Sequence, residues 1–278
     1  MCHPGGPVDR CGAQGYSGGG AAGRYEHNIA LRTQREIELL RACGRLVAEA
    51  LELAESLIRP GLRTEVLDRE VARFLLGRGA RAAFKNYMGF PAHICVSVDE
   101  EVVHGIPGAR VLSEGEIVGV DIGVEMAGYY ADASRTFPVG EISPEKERLL
   151  RATREALYAG IARARAGNRL SDISHAIQTT VEQAGFSVVR ALVGHGIGRS
   201  LHEPPQVPNF GAPHRGPRLR PGMVLAIEPM VNMGSHEVTT LADGWTVVTK
   251  DRLPSAHFEH TIVVTDGEPL ILTEDLVK

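Results

Sequence analysis

The chain has 278 residues, 43% hydrophobic and 23% charged, with a formal net charge of -4. That composition is ordinary for a globular protein, leaves room for one large domain or two small ones, and gives no reason to expect nucleic acid or a membrane as partner. No apolar run approaches the ~20 residues of a spanning helix, and the start lacks the apolar core of a secretory signal, so a cytoplasmic location is expected.

Residues 1–28 hold Gly5-Gly6-Pro7 and Gly18-Gly19-Gly20 with almost no aliphatic side chains. Such a segment cannot bury a core and reads as a flexible Gly-rich tail ahead of a catalytic domain at 29–278. Gly18 to Gly23 spells G-x-G-x-x-G, but no strand precedes it, which argues against a dinucleotide loop. Cys2 and Cys11 lack the partners of a zinc site, and with Cys43 and Cys95 they are too scattered for a disulfide framework. Order begins at Thr33, where Thr33-Gln34-Arg35-Glu36 reads as a capping box. Ile37, Leu40, Gly44, Val47, Leu51, Ala54 and Ile58 then recur at helical spacing until Arg59-Pro60-Gly61. A second helix is expected from Glu65 to Arg78, then strands at Ile94–Val98 and Glu116–Val124. Ser143-Pro144 places a cap before a proline at the first helical position, opening a helix to about Ala166. Another helix runs from Ser171 to Gly185. Further strands are expected near Val188–Val193, Met223–Glu228, Trp245–Thr249 and Ala256–Thr265.

The two halves echo each other. Leu112-x-x-Gly115 with Asp121 six positions on matches Leu219-x-x-Gly222 with Glu228 six positions on. Gly61 matches Gly167, and His104-Gly105-Ile106 matches His195-Gly196-Ile197. The pattern implies two half-domains about a pseudo-twofold axis, with Asp121 and Glu228 at equivalent strand positions facing one cleft. The unmatched segments, Phe84–Pro91 and Leu201–Arg218, are expected to wall a substrate pocket.

Asp121, Asp132, His195, Glu228 and Glu259 stand in strand-like or strand-end context. A carboxylate in an apolar strand is costly unless it is paired, solvated or bound to a cation. Four carboxylates and one imidazole form a mostly hard donor set that suits two divalent ions, Mn, Fe(II), Co or Zn, whose charge they would balance. His104 and His202 stand beside Gly or Pro in loops able to enter a cleft. The sequence has no Walker loop or His-Glu-x-x-His.

Val102-Val103-His104-Gly105-Ile106-Pro107, Gly194-His195-Gly196-Ile197-Gly198, His202-Glu203-Pro204-Pro205-Gln206-Val207-Pro208, Ile227-Glu228-Pro229-Met230 and Phe258-Glu259-His260-Thr261 give a further signal. With these segments the chain, from about residue 30 onward, resembles the type I methionine aminopeptidases. The resemblance implies the α+β pita-bread fold shared with creatinase and the Xaa-Pro peptidases, with antiparallel sheet and covering helices. It implies that Asp121 chelates one ion, Asp132 and Glu259 bridge two, and His195 and Glu228 complete the other. A hydroxide between the ions would attack the scissile carbonyl and release N-terminal methionine from nascent polypeptides, with a small second residue preferred. By the same resemblance Glu228 shuttles protons, His202 bonds the peptide carbonyl and His104 contacts the amide. Tyr87, Phe90, Cys95 and Trp245 line the methionine pocket, and association with the ribosome is left open. Three positions depart from the family's usual residues: Gly123 for threonine, Ala131 for glycine and Met88 for histidine. A Xaa-Pro peptidase would use the same five ligands but usually carries an added N-terminal domain. A non-catalytic relative would be expected to lose ligands.

Overall fold

The computed structural model describes residues 28–274. The expected tail apart from Asn28, with Cys2, Cys11 and the glycine runs, lies outside the described residues. Four helices form: α1 (Gln34–Leu57), α2 (Thr64–Gly77), α3 (Pro144–Ile161) and α4 (Leu170–Gln183). The strands up to the middle helices are β1 (Arg81–Ala82), β2 (Cys95–Val98), β3 (Glu101–Val103), β4 (Ile117–Met126) and β5 (Tyr129–Pro138). After them come β6 (Ser187–Val188), β7 (Val193–Gly196), β8 (Glu203–Pro208), β9 (Val224–Ile227) and β10 (Met230–Asn232). The last are β11 (Val238–Thr240), β12 (Val247–Thr249), β13 (Ser255–His257), β14 (His260–Val263) and β15 (Leu270–Ile271). Every pairing among them is antiparallel, and the α+β class expected from the sequence is what forms. Among the described residues no helix is long and apolar enough to cross a membrane.

The Thr33 capping box closes as expected, its hydroxyl accepting from the Glu36 N–H and the Glu36 carboxylate from the Thr33 N–H. Ser143 caps α3, but that helix stops at Ile161, short of Ala166. The expected strand Ala256–Thr265 is broken by Phe258 and Glu259 into β13 and β14. The largest omission is β5. Met126 faces Tyr129 across a two-residue turn in which Ala127 and Gly128 both have positive φ, 54° and 78°. This is the primed geometry that suits strand twist, but Ala-Gly is a weaker signature for it than Asn-Gly.

Strand alternation sorts the side chains. On β4, Val118, Val120, Ile122 and Val124 join Ala131, Ala133 and Phe137 of β5 in a core with α1 and α2. The intervening positions, Gly119, Asp121 and Gly123, stand opposite Thr136, Ser134 and Asp132, and this set shares the other face. In the second half, Leu225 and Ile227 pack with α3 and α4, which leaves Ala226 and Glu228 to the cleft side.

The halves repeat one hydrogen-bond plan. Gly61 N–H donates to Leu112 O at 2.8 Å, and Gly167 N–H to Leu219 O at 3.0 Å. Gly115 N–H donates to Val139 O and Gly222 N–H to Val264 O, both at 2.9 Å, and the four glycines all have φ between 86° and 91°. The β2-β4-β5 set is thus the counterpart of β7-β9-β14. One echo fails. β7 lies on β9 as β2 lies on β4, so His195 stands at the register position of Ser97 rather than of His104. The shared His-Gly-Ile is a coincidence of wording between a strand and a loop.

Gly44 on α1 is forced by contact: a Cβ there would lie 2.2 Å from Leu272 O. Gly77 at the end of α2 meets nothing within 4 Å. Gly44→Ala is therefore expected to lose about 1–3 kcal/mol to overpacking despite its better helix propensity, whereas Gly77→Ala should be neutral or slightly stabilising. Urea unfolding of both variants checks this, and equal midpoints would contradict the packing.

Candidate metal centre

The seam between the halves brings the five expected ligands together. Glu259 N–H donates to Ser134 O at 2.9 Å, joining the break after β13 to the middle of β5. On one side Thr261 Oγ1 accepts from Asp132 N–H at 3.1 Å and donates to Asp132 O at 2.7 Å. On the other, Thr136 Oγ1 accepts from His257 N–H and donates to His257 O, both at 2.9 Å. Asp132, His195 and Glu259 each present a ligand atom, all within 4.8 Å of one another. His195 Nε2 is 3.6 Å from Asp132 Oδ2 and 3.6 Å from Glu228 Oε1. Asp121 acts electrostatically on Glu228 and Glu259 and is itself acted on by Asp132.

No Lys or Arg lies within ion-pair distance of these four carboxylates among the described residues, and the buried Asp121 Oδ1 has no hydrogen-bond partner. Burial first, then mutual repulsion, holds Asp121, Glu228 and Glu259 well above the usual carboxylate range. Burial raises Asp132 to about 7. An acidic cluster that lacks cationic side chains is the environment a bound cation relieves. The imidazole is oriented to suit the same cation. His195 Nδ1 donates to Gly196 O at 2.9 Å, which assigns the proton there and leaves the Nε2 lone pair facing the carboxylates. Burial lowers His195 to about 4, keeping it neutral. The residues therefore fit a pair of divalent ions.

His202 and His104 flank the cluster differently. The His202 ring centroid is 4.2 Å from that of His195, and its Nδ1 shares a 2.8 Å hydrogen bond with the Tyr87 hydroxyl. His202 keeps an edge open to solvent, yet crowding around the ring and His195 beside it lower it to about 3. Its loop is clamped at Glu203, which pairs with Arg32 and accepts from Arg199 N–H and Ser200 N–H at 2.7 and 3.0 Å. Gly198 leaves room for the Arg32 guanidinium, which a Cβ there would approach to 2.3 Å and displace. His104 takes φ 59° and precedes Gly105, whose Cβ would collide with Val96 O. Burial first, then His202, lowers His104 to about 4, and His104 in turn adds to the lowering of His257.

Phe90 and Cys95 form a buried group with Ala92, bordered by Trp245, Phe84 and Ile106; the Phe90 and Trp245 rings meet edge to face at 5.1 Å. Burial first, then Asp121, raises the Cys95 thiol, so it stays neutral. Tyr87 stands apart from that group, against His202. The first unmatched segment stands next to the candidate ligands, with Tyr87 against His202 and Phe90 beside Cys95. The second does so only through His202 and β8; beyond Pro208 it turns to α4, where Gly211 N–H donates to Gln178 and His214 N–H to Asp172. Gly123 has a local reason: the Phe84 ring occupies the space, 2.6 Å from where a Cβ would be. Met88 is exposed. Two residues at the site, His257 and Arg32, are not among those the sequence singles out, and Thr261 enters there only as the last residue of Phe258-Glu259-His260-Thr261. For His257 the available signal is its place two residues before Glu259, on one side of an extended chain.

Residues 38–266 match metallopeptidase family M24. Methionine aminopeptidase 1 of Bacillus subtilis is 55% identical over 88% of this chain and 99% of its own length. The Escherichia coli methionine aminopeptidase is 46% identical over 88% of this chain and 94% of its own. A solved methionine aminopeptidase from Thermotoga maritima superposes with TM-score 0.88 at 46% identity, covering 89% of this chain and all of that one. A prolidase from Pyrococcus furiosus shares the fold alone, with TM-score 0.72 at 20% identity; this chain spans 66% of its length.

The raised carboxylates hold protons that a cation must displace. Mn2+ affinity of chelator-stripped protein should therefore rise with pH below 7, by about tenfold per pH unit for each proton displaced. Calorimetry in two buffers of different ionisation enthalpy checks it. Equal affinity at pH 5.5 and 7.5 with no buffer-dependent heat would contradict the assignment.

Proposed function

The chain belongs to metallopeptidase family M24 and has its pita-bread fold, and on that premise we propose that it acts as a methionine aminopeptidase, removing the first residue from nascent polypeptides in the cytoplasm. The observation that carries the reading is the convergence of four buried carboxylates and one neutral imidazole at the seam, with the buried Phe90 and Cys95 group next to them through the Cys95-Asp121 pairing. Residues 29–278 form the catalytic unit in this reading. The prolidase alternative is disfavoured by identity, 20% to that protein against 55% to methionine aminopeptidase 1 of Bacillus subtilis.

Asp121, Asp132, His195, Glu228 and Glu259 would together hold two divalent ions. Two such ions supply Lewis acidity and bring the pKa of a water toward neutrality. The protein's own groups do the rest. Glu228, a carboxylate whose proton affinity is already raised, takes the proton released as the carbonyl is attacked and passes it to the leaving amine. With Tyr87 donating to His202 Nδ1, the Nε2–H is left to bond the scissile carbonyl oxygen. His104, on its constrained turn, faces the amide. Phe90, Cys95 and Trp245 receive the methionine side chain, whose thioether suits sulfur and aromatic edges. Tyr87 closes the rim.

Metal-loaded protein is expected to release methionine from Met-Gly-Met and to turn over Met-Lys or Met-Phe peptides far more slowly. Asp132→Asn should lower kcat by more than about a hundredfold, since losing a ligand exceeds the 10–100-fold loss typical of its outer partners. Methionine release is measured alongside metal content. Wild-type protein carrying two ions without releasing methionine would overturn the reading.

A further inference from the structure

His257 ends β13 with its main chain pinned on both sides by one hydroxyl, that of Thr136. Its ring is buried, and its Nε2 has no hydrogen-bond partner among the described residues. Buried polar nitrogens without partners are rare in folded proteins and mark places where a contact is completed by something else. The nearest acceptor is Glu228 Oε2, at 3.8 Å. The other oxygen of that carboxylate, Oε1, faces His195 at 3.6 Å. Glu228 is therefore bracketed by two imidazoles, one on each oxygen.

The pseudo-twofold gives this placement a reason. Thr136 holds His257 with the same pair of main-chain hydrogen bonds by which Thr261 holds Asp132. Glu228 is likewise the counterpart of Asp121. The frame thus puts His257 beside Glu228 as it puts Asp132 beside Asp121, but with an imidazole where the first half has a carboxylate. An ionised carboxylate only accepts, so an imidazole that bonds Glu228 directly has to present an Nε2–H.

We propose that His257 is a positioning residue for Glu228, donating Nε2–H to Oε2 when the carboxylate closes on its cation, so that Oε1 stays turned toward the ion shared with His195. This rests on the dinuclear reading above. The gap to close is about 0.8 Å, the excess of the separation over an ordinary N–H···O bond. The bond leaves one oxygen with the cation and ties the other to a rigid strand end, which fixes the direction in which Glu228 presents itself to a reacting proton.

The test uses two variants of the full-length protein, His257→Gln, which keeps an N–H donor, and His257→Met, which keeps volume without one. Mn2+ binding to chelator-stripped protein is followed by calorimetry, with kcat and KM for Met-Gly-Met at saturating Mn2+. His257→Met should lose 10–100-fold in affinity at one of two sites and at least about tenfold in kcat with KM within twofold; His257→Gln should stay within about threefold of wild type. Equal behaviour of the two variants, or wild-type affinity in His257→Met, would overturn the proposal. If His257→Met does not fold, nitrogen NMR of the wild type with Zn2+ decides: a protonated Nε2 on His257 supports it and a bare Nε2 refutes it. Wild-type protein that binds no ion pair would instead defeat the dinuclear reading.

Discussion

Four carboxylates are buried against one another with no basic side chain to offset them among the described residues. Everything around them answers that constraint. Alternation on β4 and β5 puts Asp121 and Asp132 on one face while Val118, Val120 and Ile122 bury the other under α1. Small residues, Gly119 and Gly123, border the acids on that face, and Thr261 steadies Asp132 from the opposite half. Such a cluster is stable only when protons or cations fill it, so the fold and its cofactor demand are one problem.

The symmetric frame explains how residues so far apart in sequence are made to meet. Each half is a glycine-turned ladder with two helices behind it, and the halves join where Glu259 donates to Ser134. Around that join the chemistry is asymmetric: Asp132 is matched by His257, Ser134 by Glu259, Asp121 by Glu228 and Ser97 by His195. The backbone supplies positions in pairs, and the side chains decide which positions become ligands. That division lets one scaffold hold a site whose two ions have different neighbours.

Much of this is open to reading in the chain itself, for identifiable reasons. The Thr33 box and the Ser143-Pro144 start use local hydrogen bonds, so local sequence reveals them. The glycine landmarks repeat because all four need positive φ. Asp121 and Glu228 are conspicuous as acids at the ends of aliphatic runs. Asp132 is harder, because its strand is built of Ala, Asp and Ser, whose order is imposed by pairing on both edges rather than by propensity. The repeated His-Gly-Ile misleads because three letters carry no register. His257 and Arg32 are invisible in the sequence, since their partners lie at the seam or 171 positions away.

The clamp on the His202 loop reaches back to the stretch just ahead of the first helix. Arg32 lies one residue before the α1 cap, its guanidinium over Gly198 and against Glu203, while Arg32 N–H donates to Gly222 O. An engineered start or a proteolytic nick placed just past this arginine would not trim an idle leader. It would sever a tether, freeing the loop on which His202 rides and leaving Glu203 without its cation.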